Sequence, residues 1–339
     1  MSPFEIYSRL DIRGLAKRGL TRPGLTRRGF GGRLVSAAAG LAGPALLNKA
    51  WAEAGGAKTS SRYFYFAVIA DTHIIDEFYK GPESNPLDTE SIFKTTERLV
   101  SARSVINGLH PPMERVFLVG DYFHNYPSMD WDFYFKNKTR VDRCKELTDA
   151  FKMPVHACFG NHDYDVPRVS REFSHKLFKE KFGLDPYYSL DYKGWKFVHL
   201  NNFLGDTWKP GSKTYNKEWG SLGEQQLNWF EAELNQHKPT FVFIHFPLYR
   251  DVETEVADYG LGPLLKKHRD TIQRVVSGHW HKWYDFARTY GPPHYVIGAT
   301  RYDENAYMLV EADMLKQTHR FLNLDCVDWA THYSKPYKA

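Results

Sequence analysis

Val155-His156-Ala157-Cys158-Phe159-Gly160-Asn161-His162-Asp163 passes from a short apolar run, through a glycine, to an amide, an imidazole and a carboxylate. An apolar run of this length closed by glycine spells a buried strand and a sharp turn. In open α/β sheets ligands bind beyond the carboxyl ends of the strands, which is where Asn161, His162 and Asp163 fall. Asparagine is neutral and an uncommon metal ligand, yet beside a carboxylate shared by two cations it supplies an oxygen without adding charge. Gly-Asn is also ordinary turn chemistry, so the stretch acquires weight only from its neighbours.

Four other expected strands end in matching groups, two before this one and two after it. Tyr63 to Ala70 is apolar and aromatic and ends at Asp71-Thr72-His73. Side chains two apart in extended chain point to the same side, so Asp71 and His73 are expected to reach one metal ion from one strand end. Val116 to Val119 closes at Gly120-Asp121. A carboxylate has two oxygens and can bridge two cations, and a glycine before it lets backbone approach closely. Thr240 to Ile244 ends at His245-Phe246-Pro247, where proline stops the ladder and is expected to expose the imidazole. Arg274 to Ser277 runs into Gly278-His279-Trp280-His281, again two imidazoles two apart behind a glycine. His124, three residues past Asp121, reads equally as an orienting group or phosphate contact and as a surface loop histidine.

Between these ends the periodicity predicts helices over residues 88–107 (N-capped by Asp88), 139–152 and 169–182, one opening at 222–224, and one ending near His268. A hairpin around Gly194 pairs residues 187–191 with 196–200, and His199 within it reads as a satisfied strand histidine. Three further strands, 295–298, 307–310 and 320–324, alternate apolar and polar residues as a sheet edge should. The aromatic loops Tyr122–Phe135 and Phe203–Trp219 read as core and rim packing, with stacking of a base or shelter of a lipid-like group as the other reading. Strand, ligand-bearing turn and helix in alternation make an α/β protein.

The 339 residues are 42% hydrophobic and 25% charged, ordinary for a globular protein with a sizeable core. A net charge of +5 invites a nucleic-acid reading, but nine of the 45 Lys/Arg and three of the 40 Asp/Glu lie in residues 1–54, leaving 36 basic against 37 acidic residues beyond them. That balance gives the body no global electrostatic footprint for DNA or RNA. The leader carries Thr26-Arg27-Arg28-Gly29-Phe30, an uncharged small and apolar run from Leu34 to Leu47, and Ala50-Trp51-Ala52-Glu53-Ala54. Basic, apolar and small-residue regions in this order define a secretory signal, and the paired arginines resemble the twin-arginine signal that exports folded proteins. Residues 1–54 are therefore expected to be such a signal peptide. It would hand residues 55–339, already loaded with metal, to the twin-arginine machinery for the periplasm or another exported location. No run reaches the roughly 20 apolar residues of a membrane span. Cys144, Cys158 and Cys326 lack CxxC spacing and indicate neither a disulfide framework nor a zinc–thiolate site. Cys158 is expected in the core, and a Cys144–Cys326 bridge stays open.

Taken in order, Asp71-Thr72-His73, Gly120-Asp121, Gly160-Asn161-His162-Asp163, His245-Phe246-Pro247 and Gly278-His279-Trp280-His281 resemble the calcineurin-like metallophosphoesterase family over residues 63–300. The resemblance implies two facing mixed β-sheets flanked by helices, a four-layer αββα sandwich. It implies hydrolysis of a small phosphate mono- or diester by a hydroxide bridging two metals. By motif, Asp71, His73, Asp121 and His281 would hold one metal, and Asp121, Asn161, His245 and His279 the other. Two carboxylates against two divalent cations leave a centre that attracts an anionic phosphate. The all-N/O ligand set fits two divalent or mixed-valence ions of Mn, Fe, Zn or Co alike. His162, not needed as a ligand, is free to protonate the leaving oxygen, and Asp163 is expected to fix its tautomer. Purple acid phosphatases, a branch of this superfamily, use a tyrosine ligand in the segment that here carries His124, and a glycine at the position of His73, so no iron–tyrosinate centre is expected. The rival readings are a metal-binding scaffold of the same fold and a nuclease. Scaffold relatives usually lack the histidine that is present here as His162, and the neutral body charge disfavours a nuclease.

Overall fold

A period of two builds the interior of this protein, whose computed structural model describes residues 62–251, 260–327 and 329. Along β1 (Tyr63–Ile69), Phe64, Phe66 and Val68 point to one side, and Tyr65, Ala67 and Ile69 to the other. β1 lies third in a five-stranded sheet ordered β11 (Thr318–Phe321), β10 (Tyr307–Asp313), β1, β2 (Arg115–Val119), β3 (Val155–Cys158). β1, β2 and β3 run parallel, while β10 is antiparallel to both its neighbours. A six-stranded sheet is ordered β4 (Tyr188–Tyr192), β5 (Trp195–His199), β6 (Thr240–Phe243), β7 (Ile272–Ser277), β9 (His294–Val296), β8 (Tyr284–Ala287). Its four middle strands are parallel and its two edge strands antiparallel.

The inner faces of the two sheets meet in an aromatic layer. Phe64, Phe66, Phe117 and Val119 come from the first sheet, and Trp195, Phe197, Phe241, Phe243 and Val276 from the second. Phe117 stacks on both Phe197 and Phe243 at 4.6 Å. Each such ring, fully buried, contributes about 1.5–3 kcal/mol of hydrophobic stabilisation. The outer face of the first sheet is covered by α2 (Thr95–Gly108), α4 (Arg140–Asp149) and α5 (Arg171–Phe182) through Leu99, Ile106, Val141, Leu177 and Phe178. The outer face of the second is covered by α6 (Glu224–Leu234) and α7 (Leu261–Lys267) through Leu227, Phe230, Leu234, Leu261 and Leu265. Two further elements, α1 (Pro86–Phe93) and α3 (Phe133–Lys136), complete the α-helices of the described residues. The expected αββα sandwich is what forms.

Several local expectations need correcting. The helix expected over 88–107 is two helices, broken at Lys94 (φ −100°, ψ 0°). At the break the Thr95 hydroxyl donates to the Ile92 carbonyl at 3.0 Å, a local bond that competes with helix propagation. Its cap is Asn85, whose side chain accepts from Asp88 N at 2.8 Å, with Pro86 opening the helix. β10 is no edge strand; it sits between β1 and β11 and is buried along nearly its whole length. Cys144 is a free, buried thiol donating to the Tyr122 carbonyl at 3.4 Å, which removes the bridge to Cys326. Cys158 is a core residue, as expected. Neither ring nitrogen of His199 has a hydrogen-bond partner; the imidazole packs flat on Tyr188 at 4.3 Å. The aromatic loops serve the core: Tyr122, Phe123, Tyr126, Phe203 and Trp208 all pack into the layer under the first sheet. Among the described residues no helix is long and apolar enough to cross a membrane. The leader read over residues 1–54 lies outside the described residues.

Candidate metal centre

Because β1, β2 and β3 run parallel in one sheet and β6 and β7 in the other, the turns that follow them gather at one edge of the sandwich. There the chain departs from extended geometry. Asp71, His73, Asp121, His279 and His281 have φ of 54°, 45°, 52°, 66° and 51°. For residues other than glycine such left-handed backbone costs about 1–3 kcal/mol each and concentrates at functional sites. Strand alternation therefore does not align Asp71 with His73, or His279 with His281; the bends after the strands do.

The side chains converge on Asp121. Its Oδ2 is buried and receives no hydrogen bond, yet Nε2 of His73 and Nε2 of His245 each lie 3.3 Å away. Its Oδ1 accepts from the His162 backbone N–H at 2.8 Å. On one side of Asp121, His73 Nε2 is 3.3 Å from His281 Nε2, which is 3.4 Å from Asp71 Oδ1. On the other, His245 Nε2 is 3.1 Å from Asn161 Oδ1, and the His245 and His279 rings are 5.3 Å apart. Asp71 also accepts from the His279 N–H at 3.0 Å, tying the β1 turn to the β7 turn. His245 Nδ1 donates to the Val119 carbonyl at 2.9 Å, so Nε2 is the nitrogen turned toward Asp121. His245 is fully buried rather than exposed by Pro247; its turn is held by Asn202, which accepts from Phe246 N at 2.9 Å and donates to Asp251 at 2.7 Å.

Two glycines make this approach possible. A Cβ on Gly120 would stand 2.3 Å from His245 Nδ1, and one on Gly160 would stand 2.2 Å from both the backbone N and Oδ1 of Asp121. The electrostatics match the geometry. Burial pushes His73 and His279 well below the usual imidazole range, leaving them neutral and able to act as ligands. Burial opposes charge on Asp121, but the surrounding imidazoles of His245, His162 and His73 outweigh it and hold the carboxyl well below its usual range. His245 is buried too, but the carboxylates of Asp121 and Asp71 raise it to about 9. A buried carboxylate oxygen with no donor, two imidazole nitrogens aimed at it and an all-N/O donor set together fit divalent cations. Asp71, His73, Asp121 and His281 place their ligand atoms within 4.8 Å of one another.

The Calcineurin-like phosphoesterase profile matches residues 64–283, more than half of the chain. The chain belongs to this family. It is a family of phosphoesterases, and the Asp/His cluster just described lies inside the matched span. A probable glycerophosphodiester phosphodiesterase, GpdQ, from Arcobacter nitrofigilis is 25% identical over 187 residues, which cover 52% of this chain and 60% of that protein. The chain thus matches about three fifths of that relative's length. Among solved structures, a dimetal phosphatase from Danio rerio is 16% identical over 77% of this chain and 99% of its own, with a TM-score of 0.51. That likeness shows the fold alone. A purple acid phosphatase from yellow lupin seeds is 14% identical over 77% of this chain and 53% of its own, with a TM-score of 0.45.

Within the family frame, the chain brings together all seven residues read as ligands, but one expected role is reassigned. The Asp163 carboxylate has partners other than the His162 ring. Its Oδ1 accepts from Tyr122 N at 3.0 Å and its Oδ2 from Gly160 N at 2.8 Å, so it clamps the turns after β2 and β3 together. Burial, reinforced by the Asp121 charge, pushes its carboxyl well up. The partner of His162 is Asn125, whose Oδ1 lies 2.9 Å from Nδ1. His124 is buried, stacked on His162 at 4.6 Å, with its Nδ1 3.1 Å from His73 Nδ1. Sequence reasoning passed over Asn125, Asn202 and Glu83, which contacts His124. Asn125 has φ of 59°, and asparagine tolerates that conformation, so sequence marks it only as a turn residue.

Proposed function

We propose that the chain hydrolyses phosphate esters with two metal ions, one held by Asp71, His73, Asp121 and His281 and the other by Asp121, Asn161, His245 and His279. The observation that carries this reading is the unpartnered Asp121 Oδ2 lying 3.3 Å from the imidazoles of both ligand sets. Two divalent cations held by such a carboxylate supply a nucleophilic water of lowered pKa and neutralise charge on the phosphoryl group. The chain's own contribution is positioning and proton handling. With Nδ1–H donating to Asn125, His162 would act on the leaving oxygen as the imidazolium, giving up the second proton from Nε2, and its backbone N–H holds Asp121 in place. The glycerophosphodiester relative favours a diester as the substrate class. The Arg27-Arg28 leader supports export by the twin-arginine route.

The test is hydrolysis of bis-p-nitrophenyl phosphate and p-nitrophenyl phosphate by protein reconstituted with Mn, Fe, Zn or Co. The diester should be turned over faster. His162→Ala should keep its metal and lose on the order of 10²–10⁴-fold in kcat, as removal of a general acid does. Metal binding without hydrolysis of either ester would instead support the scaffold reading.

A further inference from the structure

Outside the ligand set, a buried chain of three side chains runs away from the metal centre: His73, His124 and Glu83. His73 Nδ1 faces His124 Nδ1 at 3.1 Å, and His124 Nε2 lies 3.2 Å from Glu83 Oε1. The three side chains are 0%, 7% and 19% exposed. We propose that Glu83 is a positioning residue which, through His124, holds His73 in the tautomer that leaves Nε2 bare for a metal. The proposal rests on the metal-centre reading above.

Two facing Nδ1 atoms can share only one proton, so one ring donates and the other accepts. If His124 Nδ1 carried it, His124 Nε2 would turn a bare lone pair on the Glu83 carboxylate. His73 would then carry its proton on Nε2, the atom aimed at Asp121. If His73 Nδ1 carries it, His73 donates to His124, His124 Nε2–H donates to Glu83, and His73 Nε2 is bare. Of these two neutral arrangements, only the second gives the Glu83 carboxylate a donor and leaves His73 Nε2 free for a cation. Glu83 therefore selects between the two, and a carboxylate does so because it can only accept.

Glu83 is itself fixed from several directions. Its carboxylate accepts from the Tyr79 hydroxyl, its backbone N–H donates to Thr89 Oγ1 at 3.0 Å, and the buried Arg301 guanidinium lies 3.6 Å from Oε2. Burial opposes its charge, but His124, Tyr79 and Arg301 outweigh burial and hold it at about 2, ionised at any working pH. His124 is held in turn by its backbone N–H, which donates to the Ile74 carbonyl at 3.0 Å, and by Arg140, which donates to its carbonyl. Carboxylate–histidine partners of this kind orient ligands and typically change metal affinity about 10–100-fold when removed.

The experiment titrates the metal-free full chain and its Glu83→Gln variant with Mn²⁺ against a competing chelator. It adds ¹⁵N NMR of the His73 ring in the metal-free wild type. Glutamine can donate as well as accept, so it no longer selects the tautomer. The variant should bind Mn²⁺ about 10–100-fold more weakly with the wild-type thermal midpoint, and His73 should carry its proton on Nδ1. Equal affinity in the two proteins would overturn the proposal, as would a proton on His73 Nε2. A third Mn²⁺ held by His73, His124 and His162 would overturn it as well, since those nitrogens would then be ligands. If Glu83→Gln lowers the thermal midpoint, the wild-type NMR measurement decides alone. Failure of the wild type to bind Mn²⁺ would overturn both this proposal and the metal-centre reading; wild-type binding with no loss in the variant overturns only this one.

Discussion

Asp163 and Asn125 show how neighbouring polar residues divide their work. Asp163 accepts two backbone N–H groups in the interior, so Asp163→Ala should act on stability, leaving those donors unpaired at about 1–3 kcal/mol each. Urea unfolding monitored by tryptophan fluorescence would read the shift in midpoint; a full loss of kcat with an unchanged midpoint would return Asp163 to the proton-transfer chain. Asn125→Ala should do the converse. It removes the acceptor of His162 Nδ1 and should lower kcat by about fivefold, the equivalent of one net hydrogen bond of roughly 1 kcal/mol. Metal content should stay unchanged, and an unaltered kcat would refute the contact's role. The ligands themselves were legible in the sequence because each sits directly after a strand and belongs to a rare residue pattern. Asn125 and Glu83 were not, because their partners are 37 and 41 residues away and only the folded turns bring them together.

At the scale of elements, the strands were the most legible part. The hairpin expected over 187–191 and 196–200 is β4 and β5, shifted by one residue, and β1, β2 and β3 follow their apolar runs. What sequence reasoning lacked was the geometry beyond the strand ends. Alternation was extended through Asp71 and His73, where the backbone is left-handed. The site thus depends on turns whose strain is held by the two sheets beneath them. Phe117 is a keystone of that support, stacked on Phe197 and Phe243 and two residues from the end of β2. Phe117→Ala should destabilise the fold by about 3–5 kcal/mol through the cavity it leaves. Chemical denaturation with an unchanged m-value would measure it, and a cost under about 1 kcal/mol would mean that the inter-sheet layer collapses freely around the gap.

The whole molecule carries histidines in its interior well away from the metal centre. Burial lowers His199 well below the ordinary value, His156 to about 4, His294 to about 3 and His319 to about 4. In the unfolded chain the same groups titrate near 6.5. The folded protein then binds fewer protons than the unfolded one as pH falls below about 6.5, and stability is lost progressively down to about 3. Their stabilising contribution is complete above that window. His199→Phe should flatten the fall in urea midpoint between pH 6.5 and 4; an unchanged slope would show that His199 does not contribute to it. The proposed export by the twin-arginine route belongs to this scale too. Replacing Arg27 and Arg28 by lysine should retain precursor in the cytoplasm, seen by fractionation, and normal export of that variant would rule out the twin-arginine route. The most direct measurement is metal content and bis-p-nitrophenyl phosphate turnover on one sample, before and after chelation and for Asp121→Asn. Two metals per wild-type chain are expected, with turnover lost and regained as they are removed and restored, and both sites impaired in Asp121→Asn. Turnover that persists without metal, or two metals retained at full affinity without the Asp121 carboxylate, would contradict the shared-ligand centre.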